Sequence, residues 1–267
     1  TFGPTSVQIM QNRALQWWHR RGVRWAVALL LLPALLVNLH VPAFIDDEAI
    51  RGLVALEMLH SGNWITPTIK GEFYYNKPPL YNWLLALLYQ LAPRPEEWIS
   101  RATTVLFLLA FAYTIYRSFR PHYGSRIALF SALAFITCGR VLFWESFLGL
   151  IDMGFSWAMF GLFICVHRGF SHDRPRLLFP GAYLLAAIGF MLKGLPALLF
   201  LGLTLLVGSF LFGKWRRLLS PWHGVGMLLF AALIGGYYYL YSLHHPLDQL
   251  WFRLFDESAK RTPLEFS

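Results

Sequence analysis

The chain is a series of long apolar runs separated by short polar turns, interrupted once by a long polar insertion at residues 44–81. Runs of roughly 18 or more apolar residues cross a hydrocarbon layer as helices, because an unpaired backbone amide in lipid is prohibitively costly. Seven such runs occur, at 25–44, 98–116, 127–144, 147–166, 177–192, 195–212 and 224–243. The pattern predicts an all-α, polytopic transmembrane bundle with a large loop on one side that contains juxtamembrane helices.

The insertion carries its own local signals. Asp46 or Asp47 is a good N-cap, Glu48 suits the first helical turn, and Gly62 is a natural stop. Ile50, Leu53, Val54 and Met58 share one face at helical spacing, which predicts a surface helix whose polar side faces a cavity. Downstream, Trp64, Tyr74, Tyr75 and Lys77 lead to Pro78 and Pro79, which hold the backbone extended and present the lysine rigidly before the chain re-enters the membrane at 80–91. A single acid here reads as a helix cap and Lys77 alone as a snorkelling lysine. Three consecutive acids exceed what capping requires, and carboxylates at a membrane boundary usually touch an ion, a substrate or a cation.

Composition sharpens the membrane assignment: 57% of residues are hydrophobic, 17% aromatic and only 14% charged, against about 25% charged in soluble domains. Charge sets the topology. With a cytoplasmic N-terminus, the inner segments hold thirteen basic residues and one acid, Asp173, which leaves ten basic and thirteen acidic residues outside, of 23 and 14 in all. The basic excess therefore reports orientation, and nucleic-acid binding is a poor explanation of it. Residues 1–24, with Trp17 and Trp18 beside His19, Arg20 and Arg21, suit an anionic leaflet. Cys138 and Cys165 lie inside apolar runs and read as small buried hydrophobes without disulfide or zinc spacing.

This topology brings the insertion, the turn near Glu145, the Lys193-Gly194-Pro196 break and the tail from His244 to one outer face. Asp152 falls about a turn and a half inside the fourth span, where a charge costs roughly 2.5 to 3.5 kcal/mol on insertion scales. Arg140 and Glu145 are expected to partner each other or Asp152. Lys193 reads either as a turn marker or as a second cation for a phosphate. An acidic cluster leaves a divalent cation open as a cofactor, but no histidine or cysteine accompanies Asp46, Asp47 and Glu48, so a zinc-type site has little support.

The order Asp47-Glu48, Gly62-Asn63-Trp64 to Pro67, Gly71 to Tyr75, Lys77-Pro78-Pro79-Leu80, Arg140 to Asp152-Met153 and Lys193-Gly194 resembles the polyprenyl-phosphate-sugar transferases of the GT-C class, which include protein O-mannosyltransferases and lipid A aminoarabinose transferases. The resemblance covers residues 46–197. It implies a catalytic outer loop at 45–97 within a single transmembrane domain over 1–267. It also implies Asp47, Glu48 and Asp152 as catalytic residues, and Lys77, Lys193 and Arg140 as donor-phosphate ligands. Asp46, Trp64, Tyr74, Tyr75 and Glu257 would line the substrate cavity. The implied reaction is inverting transfer of a sugar from a polyprenyl-phosphate carrier to a lipid, protein or glycan acceptor at the periplasmic face of a bacterial inner membrane. Asp46 is an acid beyond the family's pair, and the chain stops near the seventh span where the family continues, so it is expected to be a fragment. The competing expectation is a transporter or flippase, since buried acids and lysines also build substrate pathways; against it, no internal repeat is visible and the polar groups collect at one surface.

Cysteines introduced within 62–76 are expected to react with a reagent applied outside sealed cells, whereas positions 214–217 stay protected; equal labelling of both would remove the shared outer face.

Overall fold

The computed structural model describes residues 21–37, 39–40, 43–45, 47–248 and 252. The amphipathic lead-in before Arg21, Asp46 and Glu257 lie outside the described residues. The elements are α1 (Arg21–Leu36), α2 (Glu48–Ser61), β1 (Thr68–Ile69), β2 (Glu72–Phe73), α3 (Leu80–Leu91), α4 (Glu97–Ile136), a π-helical turn (Val141–Glu145), α5 (Asp152–Ser171), α6 (Pro175–Lys193), α7 (Pro196–Leu211), a 3₁₀ turn (Trp215–Leu219) and α8 (Pro221–Ser242). By length and composition α4, α6 and α8 can each cross a membrane, and α7 is apolar but shorter. The all-α expectation therefore holds, apart from a two-residue-wide antiparallel hairpin that pairs Thr68 with Phe73 and Ile69 with Glu72.

The main core lies where α5, α6, α7 and α8 meet, around Phe155, Leu162, Phe170, Phe179, Phe190 and Tyr238. Small residues let the backbones approach, as is usual where lipid supplies no hydrophobic drive between helices. Ala182 and Ala186 are fully buried on α6, and a Cβ at Gly226 of α8 would sit 3.0 Å from the Phe179 carbonyl oxygen. A second cluster joins α1, α4 and the start of α5 through Leu35, Leu108, Phe111, Ile136 and Met153. Outward-facing Leu106, Phe130, Phe163, Phe210 and Leu228 remain exposed, as lipid-facing side chains would.

Several expected boundaries shift. The second and third runs are the two helical halves of α4, separated as expected at Gly124, whose φ of 78° and ψ of 165° interrupt the helix. Pro121 precedes the bend. The fourth span begins at Asp152, because residues 146–151 are non-helical; Asp152 is thus the first residue of α5, where the helix dipole favours an acid, and is not embedded within the span. In α2 the buried residues are Glu48, Arg51, Gly52, Val54, Ala55 and Met58, while Leu53 is 41% exposed. Val54 and Met58 are buried as expected, but the helix has rolled so that two of its three charged residues, Glu48 and Arg51, also face inward. Pro79 adopts a helical conformation and opens α3, so only the Leu80–Leu91 return matches expectation. Cys138 is exposed and Cys165 only half-buried, which corrects the buried-hydrophobe assignment.

The inward roll of α2 follows from one interaction. Glu48 is fully buried and accepts hydrogen bonds from Arg101 Nη2 at 2.5 Å, Arg101 Nε at 3.2 Å, the Ile45 amide at 2.7 Å and the Gly149 amide at 2.8 Å. The Ile45 contact lets Glu48 reach back as a capping residue, while the N-cap Asp47 makes no side-chain cap bond. Arg101 Nη2 also reaches the Ala43 carbonyl at 2.7 Å. A Cβ at Gly149 would overlap Ser100, so only glycine brings this amide onto the carboxylate. The network ties α2 to α4 and to the entry of α5.

Polar features separate to the two ends of the bundle. One end holds α2, the 145–152 segment, the turn between α6 and α7 and the C-terminal end of α8, linked by Glu48 to Gly149, Asp152 to Lys193 and Tyr237 to Ile65. At the other, Asp173 pairs with Lys214 and Arg217, and Arg176 lies over Trp222.

Glu48→Ala would leave Arg101 buried without this partner, at a cost of about 3–5 kcal/mol. The expected outcome is a large drop in thermal midpoint in detergent or nanodiscs, with Glu48→Gln intermediate; an unchanged midpoint would show that the pair does not anchor the loop.

Candidate active site

The site is built from the loop between α2 and α3 and from the helix ends that receive it. Gly62 ends α2 with φ 69°, its amide bonded to Met58 O at 3.0 Å, so the sequence stop is observed. Asn63 caps the next turn: its Oδ1 accepts from the Ile65 and Thr66 amides, each at 3.1 Å. The hairpin turn runs through Lys70 (φ 54°) and Gly71 (φ 79°), the paired positive φ values of a tight hairpin. Its amides are held by Glu57 of α2, whose carboxylate accepts from Lys70 N, from Gly71 N at 3.4 Å and from Thr68 Oγ1 at 2.7 Å. Slight burial raises the Glu57 carboxyl, but those hydrogen bonds outweigh it and hold the pKa below the ordinary value of 4.5.

The loop then docks on α8. Tyr237 Oη donates to Ile65 O at 3.0 Å, Trp83 Nε1 donates to Trp64 O at 2.5 Å, and the Trp83 and Tyr237 rings meet edge to face at 5.8 Å. Beyond the hairpin, Tyr74, Tyr75, Lys77, Pro67 and Pro78 close a narrow recess with Tyr237, Tyr238 and Tyr241. It holds about 10 Å³, room for about one water. A larger apolar cavity of about 350 Å³, lined by Phe163, Val166, Phe200, Val207 and Leu211, lies between α5 and α7 and contributes no charged group.

The expected site residues fall into distinct environments. Tyr74, Tyr75 and Lys77 share the tyrosine recess. Trp64 is half-buried beside it, its carbonyl serving Trp83. Asp47 is exposed at the start of α2, with its carboxylate uncommitted to capping. Glu48, directly after it, is engaged by Arg101 and Gly149. Asp152 and Lys193 form an ion pair between the first residue of α5 and the last of α6. Each end of this pair also suits its helix dipole, and Lys193 Nζ sits 5.3 Å from the Phe155 ring centroid. Arg140 pairs with Glu145 at 3.0 Å and leaves Asp152 to Lys193, which resolves the two pairings that the sequence left open. Among the described residues no group of three or more His, Cys, Asp or Glu is placed to hold a metal ion.

Sequence reasoning missed Arg51, Arg101, Glu57 and the three tyrosines of α8. Arg101 carried a readable signal, as an isolated charge inside an apolar run; the 237–241 cluster lay inside the seventh run and was not singled out.

The helices and their polar end define a multi-pass α-helical membrane protein of the GT-C fold class. The chain belongs to the dolichyl-phosphate-mannose-protein mannosyltransferase family, whose sequence model matches residues 76–238. It is similar to an undecaprenyl phosphate-alpha-4-amino-4-deoxy-L-arabinose arabinosyl transferase of Pseudomonas savastanoi pv. phaseolicola, at 31% identity over 67% of this chain and 34% of the relative. A second such transferase, from Pseudomonas fluorescens, is 27% identical over 70% of this chain and 32% of the relative. The fold matches crystal structures of ArnT from Cupriavidus metallidurans in the apo state and bound to undecaprenyl phosphate. Both have TM-scores of 0.72, at 21% and 23% identity, covering 85% of this chain and 43% and 42% of theirs. The chain thus spans about a third of the length of these sequence relatives.

The depressed Glu57 value gives a signed prediction. A group with a lowered folded pKa stabilises fully above its unfolded value of 4.5, and the contribution is lost as pH falls below this through the folded value. Amide exchange at Lys70 and Gly71 should therefore accelerate under acid conditions, and Glu57→Gln should exchange fast already at neutral pH. Equal protection in wild type and variant would remove Glu57 as the hairpin clasp.

Proposed function

We propose that this protein is an integral-membrane glycosyltransferase that moves a sugar from a polyprenyl-phosphate carrier to an acceptor at the periplasmic face of a bacterial inner membrane, with its N-terminus cytoplasmic. The observation that carries this is the arrangement of Lys77, Tyr74 and Tyr75 against the tyrosines of α8, at the same bundle end as Asp47. Family membership and the undecaprenyl phosphate held by the ArnT neighbour support the donor class. They also weigh against the transporter alternative.

In this reading the donor phosphate meets Lys77 and tyrosine hydroxyls at the mouth of the recess, since the recess itself is too small to admit it. An ammonium and phenolic donors stabilise the phosphate as it departs, because its negative charge grows in the transition state. Asp47 acts on the acceptor as general base, raising its nucleophilicity as it attacks the anomeric carbon from the face opposite the phosphate. The product is inverted at that carbon. Glu48 cannot share this task while Arg101 and two backbone amides hold its carboxylate; its part is to fix Asp47, its neighbour in sequence, at the start of α2. Asp152 and Lys193 would supply a second charged pair, with Lys193 available to phosphate only in competition with Asp152. The acceptor in this reading is a lipid, protein or glycan.

The test is transfer of a radiolabelled lipid-linked sugar by the full-length protein, with donor affinity followed separately on folded variants. Asp47→Asn should lower turnover by roughly 10² to 10⁴ while donor binding survives. Lys77→Ala should weaken both, since phosphate is held in ground and transition states alike. Near wild-type transfer by Asp47→Asn would remove Asp47 from the chemistry.

A further inference from the structure

We infer that Arg51 is a positioning residue that fixes the Tyr74 phenol for the donor phosphate, a role that rests on the glycosyltransferase reading above. Arg51 is 2% exposed on the inward face of α2. Its Nη2 donates to Tyr74 Oη at 2.6 Å, and its guanidinium carbon lies 5.2 Å from the Tyr74 ring centroid. Glu48, three residues earlier on the same face, gives its carboxylate to Arg101. Among the described residues no carboxylate pairs with Arg51, and its Nη1 is buried without a hydrogen-bond partner.

A buried guanidinium in that state is costly, and removing an arginine that only filled space would relieve the cost. What it does instead follows from hydrogen-bond inventory. A guanidinium can only donate, so the Tyr74 oxygen must accept, and the phenol proton is turned away from Arg51. Tyr74 lines the recess with Lys77, so that proton is presented on the side where phosphate oxygens would arrive. The positive charge behind the oxygen also polarises the O–H bond, and a charge-assisted chain is stronger than its links taken singly. Arg51 thereby adds to phosphate recognition without touching the phosphate. Tyr74 is itself held in place by its backbone amide on Pro67 O at 2.8 Å, so Arg51 acts on the hydroxyl of a residue whose backbone is already fixed.

The experiment is a double-mutant cycle on the full-length protein in nanodiscs, reading undecaprenyl phosphate affinity and the donor KM against kcat, with Lys77→Ala as the control for the phosphate site. Arg51→Met and Tyr74→Phe should each weaken affinity roughly tenfold and raise KM more than they lower kcat, and the double variant should be no weaker than either single. Arg51→Lys, which keeps one donor and the charge, should recover part of the loss and guards against a folding defect in Arg51→Met. Additive losses in the double variant, or no loss from either single while Lys77→Ala still weakens binding, would overturn the role of Arg51 and leave the phosphate site standing. Unchanged affinity in Lys77→Ala would instead sink the phosphate reading, and the Arg51 role with it.

Discussion

The buried Glu48 carboxylate is the constraint on which the polar end of this protein depends. It is shared between the Arg101 guanidinium of α4, the Ile45 amide before α2 and the Gly149 amide before α5. Three chain segments far apart in sequence are therefore fixed to one another by a single anion. A buried ion pair is weak evidence for net stability, since desolvation offsets much of its attraction. Its effect here is register: α2 can seat in one rotation only, the one that buries Glu48 and Arg51 and turns Asp47 outward.

From that seat the rest of the loop is placed by contacts that grow weaker toward the solvent. Near the membrane, Trp83 and Tyr237 grip the Trp64 and Ile65 carbonyls. Farther out, the hairpin depends on Glu57 and on the Phe73 ring against His245 at 4.1 Å. Tyr74 and Lys77 sit between these layers, on backbone held from both sides, and line a recess shared with α8. Such an arrangement keeps Lys77 and Tyr74 rigid relative to Asp47, whereas the hairpin beyond them, exposed from Lys70 to Phe73, opens more readily.

Elements defined by strong local punctuation were legible from sequence. Gly62 ended α2, Leu80–Leu91 formed the return helix, and Lys193-Gly194-Pro196 divided one apolar run into α6 and α7. Features that depend on partners distant in the chain were not. The inward face of α2 was legible only in part: Val54 and Met58 lie on it as their spacing indicates, but hydrophobic periodicity cannot anticipate that Arg101, 53 positions away, will neutralise Glu48 there. Asp152 was placed too deep because the apolar segment before it reads as helix, although Gly149 is held there by a side chain of α2. Tyr237, Tyr238 and Tyr241 lie within an apolar run with no local signal to mark them; their common recess with Lys77 exists only after the loop has folded back onto α8.

The pairing of charges also sorts the candidate groups by what each must give up to act. Arg140 would have to leave Glu145 and Lys193 would have to leave Asp152 before either could take a phosphate. Both ends of the latter pair are further favoured by their helix dipoles, so the exchange trades one stabilised anion for another and adds little driving force. Asp47, by contrast, gives up no capping bond, since its side chain makes none. The base in the proposed reaction is therefore a residue that the buried network orients without consuming it. The acids and bases that the network does consume, Glu48 and Arg101 foremost, are what make that orientation persist.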